Sequence, residues 1–169
     1  MTAPYPYVPR SNARLRPGEF WAIPLKTGRF ACGIVLAVAR VPSPDYVVST
    51  RAFLAGLLAW EGDAPPTPRA LADVRLAGQG FAHVKTITEI GGRILGRLPD
   101  SDAVRPALWQ SAPGEGRGAV YAGIEWLRQA TPADADLPPI VAWGFGHMRA
   151  VAEQAGTLRA GRAEGGIAR

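Results

Sequence analysis

Two apolar runs around one short polar break constrain this chain more than any other feature it carries. Glu19–Leu25 alternates Phe20 and Ala22 against Trp21, Ile23 and Leu25, while Phe30–Val38 is apolar throughout. A period of two in β-favouring residues belongs to a strand rather than a helix. The break, Lys26-Thr27-Gly28-Arg29, holds a glycine available for positive φ, so the two runs read as a β-hairpin. The second run lacks a polar face and is predicted to be a central strand. Gly33 within it marks a bulge or a close backbone approach.

The rest of the chain is weaker in pattern. Pro4, Pro6, Pro9 and Pro17 exclude a helix from an irregular leader, residues 1–17. Tyr46–Ser49 and Ala52–Trp60 read as strand, although Phe53–Trp60 would also suit a buried helix. Glu61–Pro66 is a loop, and Thr67-Pro68 caps a short helix over Pro68–Asp73. Ala82–Ile90 reads as a strand, Gly91-Gly92 as a turn, and Arg93–Leu98 as its return. Residues 99–118 show little pattern. Ala119–Gln129 spaces Val120, Ile124 and Leu127 as a helix does, though a strand is tolerated there too. After a Pro-rich loop, Ile140–Trp143 is a short strand. Phe145, Met148, Val151, Ala152 and Ala155 form one face of a terminal helix that Gly156 ends.

Strands early and helices late define an α+β domain. Its strongly bent antiparallel sheet, with barrel-like closure left open, is built from 19–98 and carries the C-terminal helix. The 169 residues suit one domain, residues 18–156, between the leader and a basic tail, 157–169, both expected to be flexible.

Charge excludes less than it first suggests. The net charge of +5 resides in the two ends: Arg10, Arg14 and Arg16 in the leader, and Arg159, Arg162 and Arg169 against Glu164 in the tail. The domain between them is neutral, so no phosphate-binding groove is expected on its folded surface. The lone Cys32 lies in the central strand and excludes an internal disulfide. No apolar run approaches the roughly 18 residues of a membrane span, and the leader has no signal-peptide core, so a cytoplasmic protein is expected.

Few residues offer chemistry. His83, His147 and Cys32 have no metal-ligand spacing, and neither a metal nor another cofactor is expected. No nucleophile elbow or phosphate loop occurs, and no catalytic residue is assigned. An enzyme would need His147 to meet Glu125 or Glu153. The tryptophans are more informative. Trp60 abuts Glu61-Gly62-Asp63, and Trp109 sits in a Gly/Pro-rich region, as anchors of a protein interface do.

Residues 16–25, Arg16-Pro17-Gly18-Glu19-Phe20-Trp21-Ala22-Ile23-Pro24-Leu25, are followed by Gly28-Arg29-Phe30-Ala31-Cys32-Gly33-Ile34-Val35. Together they resemble the opening of the immunity protein 26 family. Trp60-Glu61-Gly62-Asp63-Ala64-Pro65-Pro66-Thr67 is similar to that family's tryptophan and Pro-Pro-Thr turn, and Ile140–Gly146 to its C-terminal block. The resemblance covers 16–90 and, loosely, 140–155. Pro42, Pro44 and Asp45 and both Arg-rich ends depart from it. It implies a bacterial protein that binds and blocks a cognate toxin, with no catalytic residues. The expected contact residues are Trp60, Glu61, Asp63 and Trp109. The alternative is a nucleic-acid-binding β-barrel that uses the basic ends.

Overall fold

The hairpin over residues 19–38 is present: β1 (Glu19–Pro24) pairs antiparallel with β2 (Phe30–Ala37), with Phe20 opposite Ile34 and Pro24 opposite Phe30. Gly28 closes the loop at φ +82°, and its N–H donates to Leu25 O. Of the two alternatives for Gly33 the bulge is present, and the close approach is made by a side chain rather than by backbone. The register of β2 against the strand over 52–62 shifts between Ala31 and Gly33, and a Cβ on Gly33 would lie 2.3 Å from Trp21 Cζ2. The computed structural model describes residues 5–46, 48–99, 104–112 and 118–164, with 156–164 described by backbone alone.

Along the chain follow β3 (Ala52–Gly62), β4 (Leu76–His83), β5 (Gly96–Arg97) and β6 (Leu108–Gln110). Then come β7 (Ala119–Ala122), β8 (Glu125–Gln129), β9 (Ala142–Trp143) and α1 (His147–Glu164). A six-stranded sheet has the order β5-β1-β2-β3-β4-β9, and a second sheet the order β6-β7-β8. The larger sheet is open, not a barrel, and is antiparallel except where β9 joins β4 in parallel. With α1 packed on a predominantly antiparallel sheet, the domain is α+β, as expected.

Burial explains why β2 lacks a polar face. One side of the large sheet, with Trp21, Ile23, Val35, Phe53 and Leu57, packs under Met148 and Ala152 of α1 and under Ile87 and Ile94. The other side, with Phe20, Ile34, Leu54 and Phe81, packs against Trp109, Ala119 and Tyr121 of the second sheet. Strands covered on both faces lose their alternation, as parallel strands in layered folds do.

Several expectations are corrected. The strand assigned to 82–90 ends at His83, and Thr86–Gly91 forms a π-helical turn. Ile87 and Ile90, three positions apart, both pack into the helix-side core from that turn. Residues 93–98 therefore have no strand to return along, and Gly96–Arg97 pairs with β1 instead. The helix assigned to 119–129 is the β7–β8 hairpin. Gly123 turns it at φ +63°, and of the three residues at helical spacing Val120 is buried while Leu127 is exposed. Tyr46 is a bend residue rather than strand, and Val47 lies outside the described residues. Strand β3 runs two residues past Trp60, because Ala31 pairs with Glu61 and Phe30 with Gly62. The short helix is a 3-10 turn, Arg69–Leu71, with Thr67 Oγ1 accepting from Ala70 N–H.

The two ends are also more structured than expected. Leu15 is buried, Tyr7 pairs with Ile94, and the Asn12 side chain donates to Ser49 O and Ala52 O. The Arg40 guanidinium donates to Asn12 O and Ala13 O, so residues 5–17 are strapped to the domain. Helix α1 continues through Gly156 to Glu164, which places part of the basic tail on a helix. Residues 1–4, 100–103, 113–117 and 165–169 lie outside the described residues.

Candidate interaction surfaces

The hairpin and the end of β3 place Arg29 beside Glu61 and Asp63. Arg29 Nη1 lies 2.7 Å from Glu61 Oε1, and Arg29 Nε lies 2.9 Å from Asp63 Oδ1. Glu61 is largely covered, whereas the Asp63 side chain is 91% exposed. One guanidinium thus holds two carboxylates on a strand end, an arrangement with more geometric definition than a lone surface pair. Trp60 is half-buried on the other face of β3. It packs with the second-sheet core, and its ring leaves no room for a Cβ on Gly62, which would lie 2.5 Å from Cζ2.

Trp109 is not at the surface. It is 1% exposed, stacks on Tyr121 with ring centroids 4.5 Å apart, and donates from Nε1 to Gly123 O at 2.7 Å. A Gly/Pro-rich neighbourhood suggested an exposed loop; the β6–β7 pairing, with Trp109 opposite Tyr121, instead turns the indole into the core. Among the four expected contact residues, Glu61 and Asp63 converge through Arg29, Trp60 lies on the opposite strand face, and Trp109 is removed from contact.

The exposed tryptophan is Trp126. It sits opposite Tyr121 on β8, so Trp109, Tyr121 and Trp126 form one cross-strand row whose outermost ring is 57% exposed. All five residues of β8 are exposed, and β8 is an edge of its sheet. A register shift between Val120 and Tyr121 leaves Leu127 as the extra residue, so Leu127, 42% exposed, follows Trp126 as a second exposed apolar side chain. Reading 119–129 as a hairpin about Gly123 would have exposed this row from sequence.

Arg128, on β8, donates to Asp134 from both terminal guanidinium nitrogens, Nη1 and Nη2, each at 2.6 Å. That fork, and then the Thr131 backbone N–H, hold the Asp134 carboxyl well below its ordinary range. On the helix side, Lys85 Nζ lies 5.0 Å from the Phe145 ring centroid, and His83 meets the same ring edge-on. Burial, then Arg51 and Lys85, lower the His83 pKa. The exposed His147 ring lies 6.1 Å from Trp143. Glu153 accepts from Arg149 Nε and Lys26 N–H, and Glu125 sits on β8. Cys32 is buried, and burial pushes its thiol well above the ordinary range, as in an inert core cysteine.

Among the described residues no group of three or more His, Cys, Asp or Glu is placed to hold a metal ion, and no helix is long and apolar enough to cross a membrane. Compared with protein-family models, curated proteins and solved structures, the chain matches none.

Proposed function

We propose that this chain is an immunity-type protein that holds a cognate toxin in a stoichiometric complex, docking it on the strand end formed by Arg29, Glu61 and Asp63 with Trp60 behind. The observation that carries this reading is the Arg29 clamp: an almost fully exposed carboxylate, Asp63, is held in place before any partner arrives. Preorganised polar groups lose little freedom on binding, and they set register and partner choice. Trp60 supplies apolar area at the same strand end. The sequence likeness of 16–35 and 60–67 to immunity proteins supports the same reading.

The test is co-expression of the tagged chain with the product of the adjacent upstream gene in its native host. A one-to-one complex that rescues growth supports the reading, and Asp63→Ala or Trp60→Ala then weakens the complex at least tenfold. Unchanged affinity in both variants removes this surface. Recovery of nucleic acid instead of the neighbouring protein, with steep salt dependence, replaces the reading with binding by the basic ends.

A further inference from the structure

We propose that β8 is a self-association edge on which two copies of this chain meet strand to strand, antiparallel, about a twofold axis between Trp126 and Leu127. An edge strand presents unpaired backbone groups, and natural proteins shield such edges with like-signed charges (Lys above all), Pro, bulges or covering segments. Strand β8 reads Glu-Trp-Leu-Arg-Gln: it has no Pro, its two charges are of opposite sign and so can attract rather than repel a second copy, and all five residues are exposed.

The order of these residues selects the partner. Reversed against itself about that axis, Glu125-Trp126-Leu127-Arg128 sets Glu125 opposite the second copy's Arg128 at both ends. Trp126 then falls opposite Leu127 in the middle. Charge meets opposite charge and apolar meets apolar, as a closed twofold contact requires. Arg128 remains half-exposed while bound to Asp134, so it keeps N–H donors for a second carboxylate, and the fork fixes its direction. The bulge at Leu127 supports the contact by presenting two adjacent apolar side chains instead of alternate ones.

A pairing this short buries less than the roughly 1,000 Å² of a firm interface, so the dimer is weak, half-formed at a concentration on the order of 0.1 mM. The experiment is sedimentation equilibrium of the full chain from micromolar to millimolar concentration. It is run on the wild type, Trp126→Ser and Glu125→Arg, with thermal unfolding of each as a control. The expected result is a monomer–dimer equilibrium weakened at least tenfold in both variants, whose unfolding midpoints match the wild type because both side chains are exposed. A wild-type monomer at every concentration overturns the proposal. So does a dimer indifferent to both substitutions. A toxin complex that forms normally with the Trp126→Ser variant leaves the docking surface at Arg29 intact, so the two readings fail separately.

Discussion

Glu19 is 1% exposed, and its carboxylate accepts from the Tyr5 hydroxyl at 3.1 Å, the Tyr7 hydroxyl at 2.5 Å and the Arg16 N–H at 3.0 Å. A buried acceptor that loses a donor keeps its desolvation cost, so Tyr7→Phe should lower unfolding free energy by about 1.5–3 kcal/mol in urea titration. Burial and then the bond to Glu19 push the Tyr7 phenol far above its ordinary value. Burial, followed by the bond to Asp45, pushes Tyr121 up to about 12. The unfolded phenol ionises near pH 10 while the folded one stays protonated. Stability from Tyr121 is therefore complete below about pH 10 and is lost as pH rises towards 12. The melting temperature should fall across that window, and more gently in Tyr121→Phe. Asp134 has the opposite sign. Its depressed pKa contributes stability above about pH 4 that is lost as pH falls, so Asp134→Asn should flatten the acid limb of the same curve.

At the scale of elements, the hairpin offers a controlled comparison. Gly28 has φ +82° and nothing within 4 Å of a built Cβ, so Gly28→Ala costs only backbone strain, about 1–2 kcal/mol. At Gly33 a Cβ would meet the fully buried Trp21 ring, and Gly33→Ala forces that ring to move, costing about 1–3 kcal/mol. Guanidinium unfolding with Trp fluorescence separates the two cases: the indole environment changes at Gly33→Ala alone. This hairpin was legible in sequence because its two halves carry period-two or unbroken apolar runs around one glycine. Ala119–Gln129 was not, because Val120, Ile124 and Leu127 matched helical spacing by coincidence, and Gly123 decided the matter with a positive φ. Ala82–Ile90 misled for a related reason: alternating Thr and Ile suits a strand, but Ile87 and Ile90 also share a face of the π-helical turn, and the core took them there. As for the candidate surfaces, local composition marked Glu61 and Asp63 but could not show Arg29 reaching both. Nor could it separate buried Trp109 from exposed Trp126, since cross-strand pairing sets their fate.

At the scale of the molecule, the large sheet is covered on both faces, and the leader completes the helix-side core with Leu15 buried and Tyr5 and Tyr7 packed against it. Deleting residues 1–15 should therefore destabilise the whole domain by several kcal/mol, about 3 or more from Leu15 and the lost Glu19 donors alone. Heat denaturation of the truncated chain checks this; an unchanged melting temperature would show the leader to be an appendage. The strap also has a consequence in time. Asn12 rests on backbone carbonyls of Ser49 and Ala52, and Tyr7 pairs with Ile94, so both need partners that are synthesised well after them. At about 5–20 residues per second, the leader waits several seconds with its tyrosines and Leu15 in water. The strap therefore closes only after Ser49, Ala52 and Ile94 have followed, and until then the contacts it makes with the domain are absent.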